Sequence, residues 1–130
     1  MKKMYKKDTS VGIKRLTNSF KHAFSGLSEA YKDEENLFIH TVLAVIVIAL
    51  AFIFRVTATE WLFLIFAISI VMIAELFNSA IERAVDTATL EMNDFAKTAK
   101  DISAAAVLFA AIISTVVGCI IFLPHIFRIF

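Results

Sequence analysis

The stretch WLFLIFAISIVMIAELFNSAIERAVD, residues 61–86, decides the class of fold. From Trp61 to Ala74 its only polar side chain is Ser69, and Glu75 then opens a polar set. At about 100° per residue on a helix, Glu75, Asn78, Ser79, Glu82 and Asp86 fall within an arc of roughly 100°. Phe77, Ala80, Ile81 and Ala84 take the opposite side. A stripe bearing three carboxylates therefore runs out of a hydrophobic helix, with its first member at membrane depth. An ionisable group there costs several kcal/mol unless something uses and solvates it, so Glu75 marks a candidate functional site.

Composition agrees with a membrane chain. The 130 residues are 59% hydrophobic, with a mean hydropathy of +0.78, too apolar for a soluble domain of this length and too few for several domains. Three segments approach the ~20 residues a helix needs to cross a ~30 Å hydrocarbon core: about 37–54, 61–77 and 102–123. They are long and lack alternation, which argues against transmembrane strands. The expected class is an all-α integral membrane protein forming one domain over 1–130. The polar first 36 residues do not read as a signal peptide. Cys119, the lone cysteine, is expected to be an inert packed thiol.

Formal charge is only +1, but its placement is informative. Lys2, Lys3, Lys6, Lys7, Lys14, Arg15, Lys21 and Lys32 precede the first span, and Arg83, Lys97 and Lys100 lie between the second and third. Only Arg55 and Arg128 fall on the other side. The positive-inside rule then places the amino terminus and residues 83–101 in the cytoplasm. The stripe faces the compartment that holds ATP.

A helix over about 10–31 is predicted, capped by Thr9 or Ser10. Ile13, Leu16, Phe20, Phe24, Leu27 and Tyr31 keep helical spacing among lysines and arginine, as in an amphipathic helix lying in the membrane interface. Asp33, Glu34 and Glu35 follow directly. Such a cluster is ordinarily a solvated cap, but here it can meet the Glu75 stripe at the same boundary. His40 reads as a hydrogen-bonded structural group rather than a ligand. Trp61 is an outer interfacial anchor beside Arg55 and Glu60, and Lys97, Lys100 and Asp101 mark the start of the third helix. Ser103 and Ala104 to Ala106 form the small-residue surface that lets helices approach closely in lipid.

Depth decides what the stripe can touch. With Trp61 at the outer interface, Glu75 lies about 21 Å along the helix, roughly 9 Å short of the inner boundary of a ~30 Å core. Glu82 is about 10 Å further on, at the water interface. Glu75 can thus meet a lipid hydroxyl, while Glu82 and Asp86 can meet a water-soluble cosubstrate. Carboxylates suit Mg²⁺, which bridges one or two of them to phosphates and keeps waters. No glycine-rich phosphate loop is present, so phosphate handling falls to metal, lysine and helix termini. Phosphoryl transfer asks mainly for positioning and charge neutralisation, which this small set supplies.

These residues carry a family resemblance. Glu75-Leu-Phe-Asn78-Ser79-Ala80-Ile81-Glu82 through Val85-Asp86, followed by Ala99-Lys100-Asp101 and Ala104 to Val107, is similar to the prokaryotic diacylglycerol kinase family of small membrane lipid kinases. The similarity covers essentially the whole chain, from Gly26-Leu27 through Glu34 to the third span. It implies a homotrimer of three-span protomers, each with an amino-terminal surface helix, with active sites shared between protomers in the bacterial plasma membrane. It implies ATP and Mg²⁺, and a membrane lipid as substrate; no nucleic acid is expected as a partner. On the matching positions, Glu75 would be the general base, with Asn78 and Ser79 in support. Glu34 and Glu82 would hold the metal bound to ATP. Lys100 and Asp101 would contact the nucleotide, with Asp86 nearby. Arg15, Ser19 and Glu29 are looser matches. Two departures stand out: Met92-Asn93 replaces a common Tyr-His, leaving stacking on the nucleotide base in doubt, and Phe38 stands where Gram-positive relatives often have Arg.

The Asn36-x-x-x-His40 segment, the Glu60-Trp61-Leu62-Phe63-Leu64 start of the second span and the Ile120 to Pro124 ending resemble the Gram-positive branch, associated with undecaprenol. Diacylglycerol is the alternative, and nothing in the residue chemistry separates two lipids that each present one hydroxyl. A proton-coupled exporter would also need a membrane carboxylate, though not Glu34, Glu82, Asp86 and Lys100 at its cytoplasmic end. A non-catalytic membrane subunit is the third reading.

Overall fold

The computed structural model describes residues 9–89, 91 and 93–128, and these form four helices. They are α1 (Thr9–Asp33), α2 (Glu35–Ile53), α3 (Ala58–Ala88) and α4 (Asp94–Phe127). Three of them, α2, α3 and α4, are long and apolar enough to cross a membrane. The lysines at 2, 3, 6 and 7, the capping side chains of Thr9 and Ser10, and Met92 lie outside what is described.

The chain reverses at single-residue or very short joints. Only Glu34, in an extended conformation (φ −115°, ψ 100°), separates α1 from α2, so the two helices meet at an elbow. At the far end of α2, Arg55 takes a left-handed φ of 51°. The Val56 amide reaches back to the Ala51 carbonyl (3.2 Å) and the Arg55 amide to that of Phe52 (3.2 Å), which closes the helix in a Schellman turn. Thr57 then caps α3. The Thr57 amide donates to Glu60 Oε2 (2.7 Å) and the Glu60 amide to Thr57 Oγ1 (3.3 Å), a reciprocal capping box. His125 Nε2 on α4 lies 3.1 Å from the other Glu60 oxygen, tying the last helix to this turn.

The long helices outrun the apolar spans. With 31 residues, α3 extends about 46 Å, well beyond a ~30 Å core, so its polar half projects into water. The third long helix begins at Asp94, not at the Lys97 to Asp101 charges expected to open it. Asn93 is its cap, accepting the Ala96 amide (2.9 Å), and a cap can precede the apolar run by several turns. Leu123 does not end it either. Pro124 lies inside the last turn, where one missing amide interrupts little.

Helix α4 lies along α3 over its length, while α2 packs on α3 and touches α4 little. The α3–α4 seam is made close by small side chains: Ser103, Val107 and Ala110 are buried there, whereas Ala104 to Ala106 face outward. Two serines lock it. Ser103 Oγ reaches Asn78 Oδ1 at 2.7 Å, and Ser114 Oγ donates to the Ala67 carbonyl at 2.9 Å. In lipid such bonds are worth about 0.6 kcal/mol on average. Cys119 is exposed on α4 rather than packed, because it faces away from this seam.

At the end of the bundle away from the elbow, Ala51, Val56, Leu64 and Ile121 form the buried cluster, flanked by Phe54, Trp61 and Phe122. Between α2 and α4, α3 floors an apolar groove of about 460 Å³ that ends at His40. Helix α1 meets the rest only near its carboxyl end. Ala30 is buried, Tyr31 and Thr41 hydroxyls share a 2.6 Å hydrogen bond, and Arg83 donates to Asp33 (2.9 Å) and to the Glu29 carbonyl (3.1 Å).

Candidate active site

Helix α3 supplies the spine of the site. Its polar stripe grades from dry to wet: Glu75 is 2% exposed, Asn78 6% and Ser79 3%, Glu82 is half-buried, and Asp86 is exposed. The gradient follows from one helical face leaving the packed bundle. The Ser79 hydroxyl donates to the Glu75 carbonyl (3.0 Å), so it is engaged by its own helix.

The stripe is wired to α4 by an ordered chain of bonds. Asn78 Nδ2 donates to Glu82 Oε1 at 3.1 Å. A carboxylate only accepts, so this bond orients the amide and turns Asn78 Oδ1 toward the Ser103 hydroxyl. Ser103 Oγ also lies 2.9 Å from the Lys100 carbonyl; with one proton, it donates to one acceptor at a time. One turn on, Lys100 Nζ donates to Asp86 Oδ1 (2.8 Å). Glu82, Asn78, Ser103, Lys100 and Asp86 thus form one network across the α3–α4 seam.

From α2, His40 Nε2 approaches Glu75 Oε1 to 3.3 Å. Glu34, half-buried at the elbow, and Glu82 both lie within electrostatic reach of Glu75. Three acidic groups, two from α3 and one from the elbow, therefore converge at one end of the bundle. Among the described residues no three His, Cys, Asp or Glu side chains gather closely enough to hold a metal ion alone. Hard carboxylate oxygens at Glu34 and Glu82 do fit a Mg²⁺ whose remaining positions are filled by phosphate and water.

Other expected members stay apart. Asp101 is exposed and paired with Lys97 one turn back, on a different face from Lys100. Arg15 and Ser19 are exposed on α1, where the Ser19 hydroxyl bonds its own helix at the Arg15 carbonyl. Glu29 pairs with Lys32 (2.7 Å), whose ammonium holds that carboxyl below the usual carboxylate range. Arg83 clasps α1 instead of adding charge to the stripe. Asn93 is engaged as a cap, and Phe38 is exposed on α2.

Sequence reasoning did not pair His40 with Glu75 or Ser103 with Asn78. Both had a signal. His40 shares an α2 face with Leu37, Ala44 and Ala51, and Ser103 begins the spacing that continues through Val107, Ala110 and Ser114. Each pattern identifies a packed face, but only the fold identifies the partner.

Known proteins bear on the same residues. A family model described as prokaryotic diacylglycerol kinase matches residues 21–122, which include the elbow, the stripe and the Lys100–Ser103 segment. The undecaprenol kinase of Bacillus subtilis is 36% identical over 121 residues, covering 93% of this chain and 98% of that protein. The diacylglycerol kinase of Haemophilus influenzae is 37% identical over 120 residues (92% and 99%). That of Escherichia coli is 30% identical over 118 residues (91% and 97%). A buried carboxylate beside an amide–serine network that leads to a wet acidic end, in a chain aligned nearly end to end with these enzymes, makes this protein a lipid kinase belonging to the prokaryotic diacylglycerol kinase family.

Proposed function

We propose that the protein transfers the γ-phosphoryl group of ATP to the hydroxyl of a membrane lipid, and that the lipid is undecaprenol. The observation that carries the site assignment is the dry-to-wet gradient along one α3 face, from Glu75 to Asp86. The lipid assignment draws support from the Bacillus subtilis relative and from the Gram-positive character of residues 36–40 and 120–124. Diacylglycerol is the second reading, favoured by the names of the other relatives.

Glu75 takes the proton of the lipid hydroxyl as its oxygen bonds to the γ-phosphorus and the bond to the ADP oxygen breaks. Asn78 holds Glu82 in place. Glu34 and Glu82 would hold Mg²⁺ together with ATP, and the ion would supply charge neutralisation on the phosphates. Lys100, positioned by Asp86, and Asp101 contact the nucleotide. Arg15 and Ser19 support the substrate, with α1 in the cytoplasmic interface and its exposed Ile13, Leu16, Phe20 and Phe24 in lipid. The elbow and the α3–α4 turn occupy one end of the bundle, which charge asymmetry assigns to the cytoplasm.

The test is an ATP-consumption assay of purified protein in mixed micelles, with undecaprenol and diacylglycerol offered side by side. Faster turnover of undecaprenol is expected. Preference for diacylglycerol selects the second reading, and ATP use with neither lipid overturns both.

The active unit is a homotrimer with shared sites. Within one chain Asp101 and α1 stand away from the stripe, and a neighbour can bring equivalent groups to it. Mixing an inactive Glu34→Gln protein with an inactive Glu82→Gln protein is expected to recover part of the activity, because some interfaces then pair two intact halves. No recovery, despite demonstrated subunit exchange, places both residues in the same protomer.

A further inference from the structure

We propose that His40 is a positioning residue for Glu75, which it holds aimed at the end of the apolar groove; this rests on Glu75 being the base. The carboxylate of Glu75 is almost fully enclosed, yet its own helix offers nothing to hold it. Ser79 is engaged with the Glu75 backbone, and the Asn78 amide faces Glu82 and Ser103. The side chain that reaches it comes from another helix: His40 Nε2, 3.3 Å from Oε1.

A buried carboxylate without a donor protonates more readily and swings freely about its last torsion, and both changes remove a base. An N–H donor placed on one oxygen opposes both. It leaves the second oxygen for the substrate proton. Because a carboxylate only accepts, the contact requires the tautomer protonated at Nε2 or the doubly protonated ring. The distance is long for such a bond, as catalytic contacts often are before substrate closes the site.

The location supports the assignment. His40 is one of the residues lining the groove between α2 and α4, and its side chain remains 21% exposed. The groove is otherwise apolar along Leu43, Val47, Leu64 and Val71, and it meets the polar stripe where the imidazole touches Glu75. A hydrocarbon chain in that groove would bring its terminal hydroxyl to this junction.

The test compares His40→Phe, which keeps the volume without a donor, with His40→Gln, which keeps an N–H in reach. Both are assayed as full-length protein in micelles with saturating Mg²⁺ and the lipid that wild type turns over, beside Glu75→Gln. His40→Phe is expected to lower kcat by about 10- to 100-fold, the scale of a misplaced reacting group, with KM for ATP within about twofold. His40→Gln is expected to stay within about fivefold of wild type. Should the Phe variant not assemble, His40→Leu is measured in its place with the same expectation. A wild-type kcat without the donor, an equal loss in His40→Gln, or a loss confined to KM for ATP overturns the positioning role. Full turnover by Glu75→Gln overturns the base assignment as well, so the two failures are distinct.

Discussion

Glu75→Gln removes lipid phosphorylation while ATP binding stays largely intact. The substitution is nearly isosteric in a site only 2% exposed, so the packing around α3 has little to adjust. What it deletes is the proposed acceptor of the lipid hydroxyl proton. Loss of a positioned base lowers the rate by roughly 10² to 10⁴. Most of the nucleotide's contacts are expected elsewhere, at Asp86 and Lys100 one to three turns away, and only its γ-phosphoryl group need approach the hydroxyl beside Glu75. Turnover in micelles and binding of a fluorescent ATP analogue measure the two effects separately. Near-wild-type turnover would remove Glu75 from the base role, and lost ATP binding would move the nucleotide deeper than proposed.

Changing Glu34 or Glu82 to Gln raises the Mg²⁺ concentration needed for half-maximal rate. Glu82 is oriented by the Asn78 amide at 3.1 Å, and the one-residue elbow places the Glu34 backbone at the same end of the bundle. Losing even an outer partner of a metal site costs about 10- to 100-fold in affinity, and loss of a direct ligand should cost at least as much. A titration of rate against Mg²⁺ at fixed ATP reads the effect. An unchanged requirement in both variants would return them to the role of solvated helix caps.

The residues that could be read without the fold are those whose environment is set by their own helix. Hydropathy over 18 or more residues identifies α2, α3 and α4, and the 3.6-residue period identifies the face shared by Glu75, Asn78, Ser79 and Glu82. Three of those four side chains are buried and the fourth half-buried. Helix ends were less legible because hydropathy fades before the helix does. Asp94 to Asp101 are polar and yet helical, nucleated by a cap at Asn93 that a span search passes over. Partners were least legible. Arg83 could neutralise any nearby acid from sequence alone; the position of α1 commits it to Asp33. His40 and Glu75 are 35 residues apart, and only the placement of α2 on α3 makes them neighbours.

The two serine rungs of the α3–α4 seam have a consequence for which changes the chain can accept. Ser103 and Ser114 are eleven residues apart, as are their partners Asn78 and Ala67. Eleven residues make very nearly three turns, so both rungs point the same way and the helices run side by side without drifting. An insertion or deletion of one residue between the rungs on either helix would rotate one rung about 100° from the other. The Ser114 rung would then hold only if the Ser103 rung, and with it Asn78, Lys100 and the wet end of the stripe, turned away. Substitutions in this stretch alter side chains one at a time; a length change breaks the alignment of the membrane half with the aqueous half, and only a compensating change in the partner helix restores it.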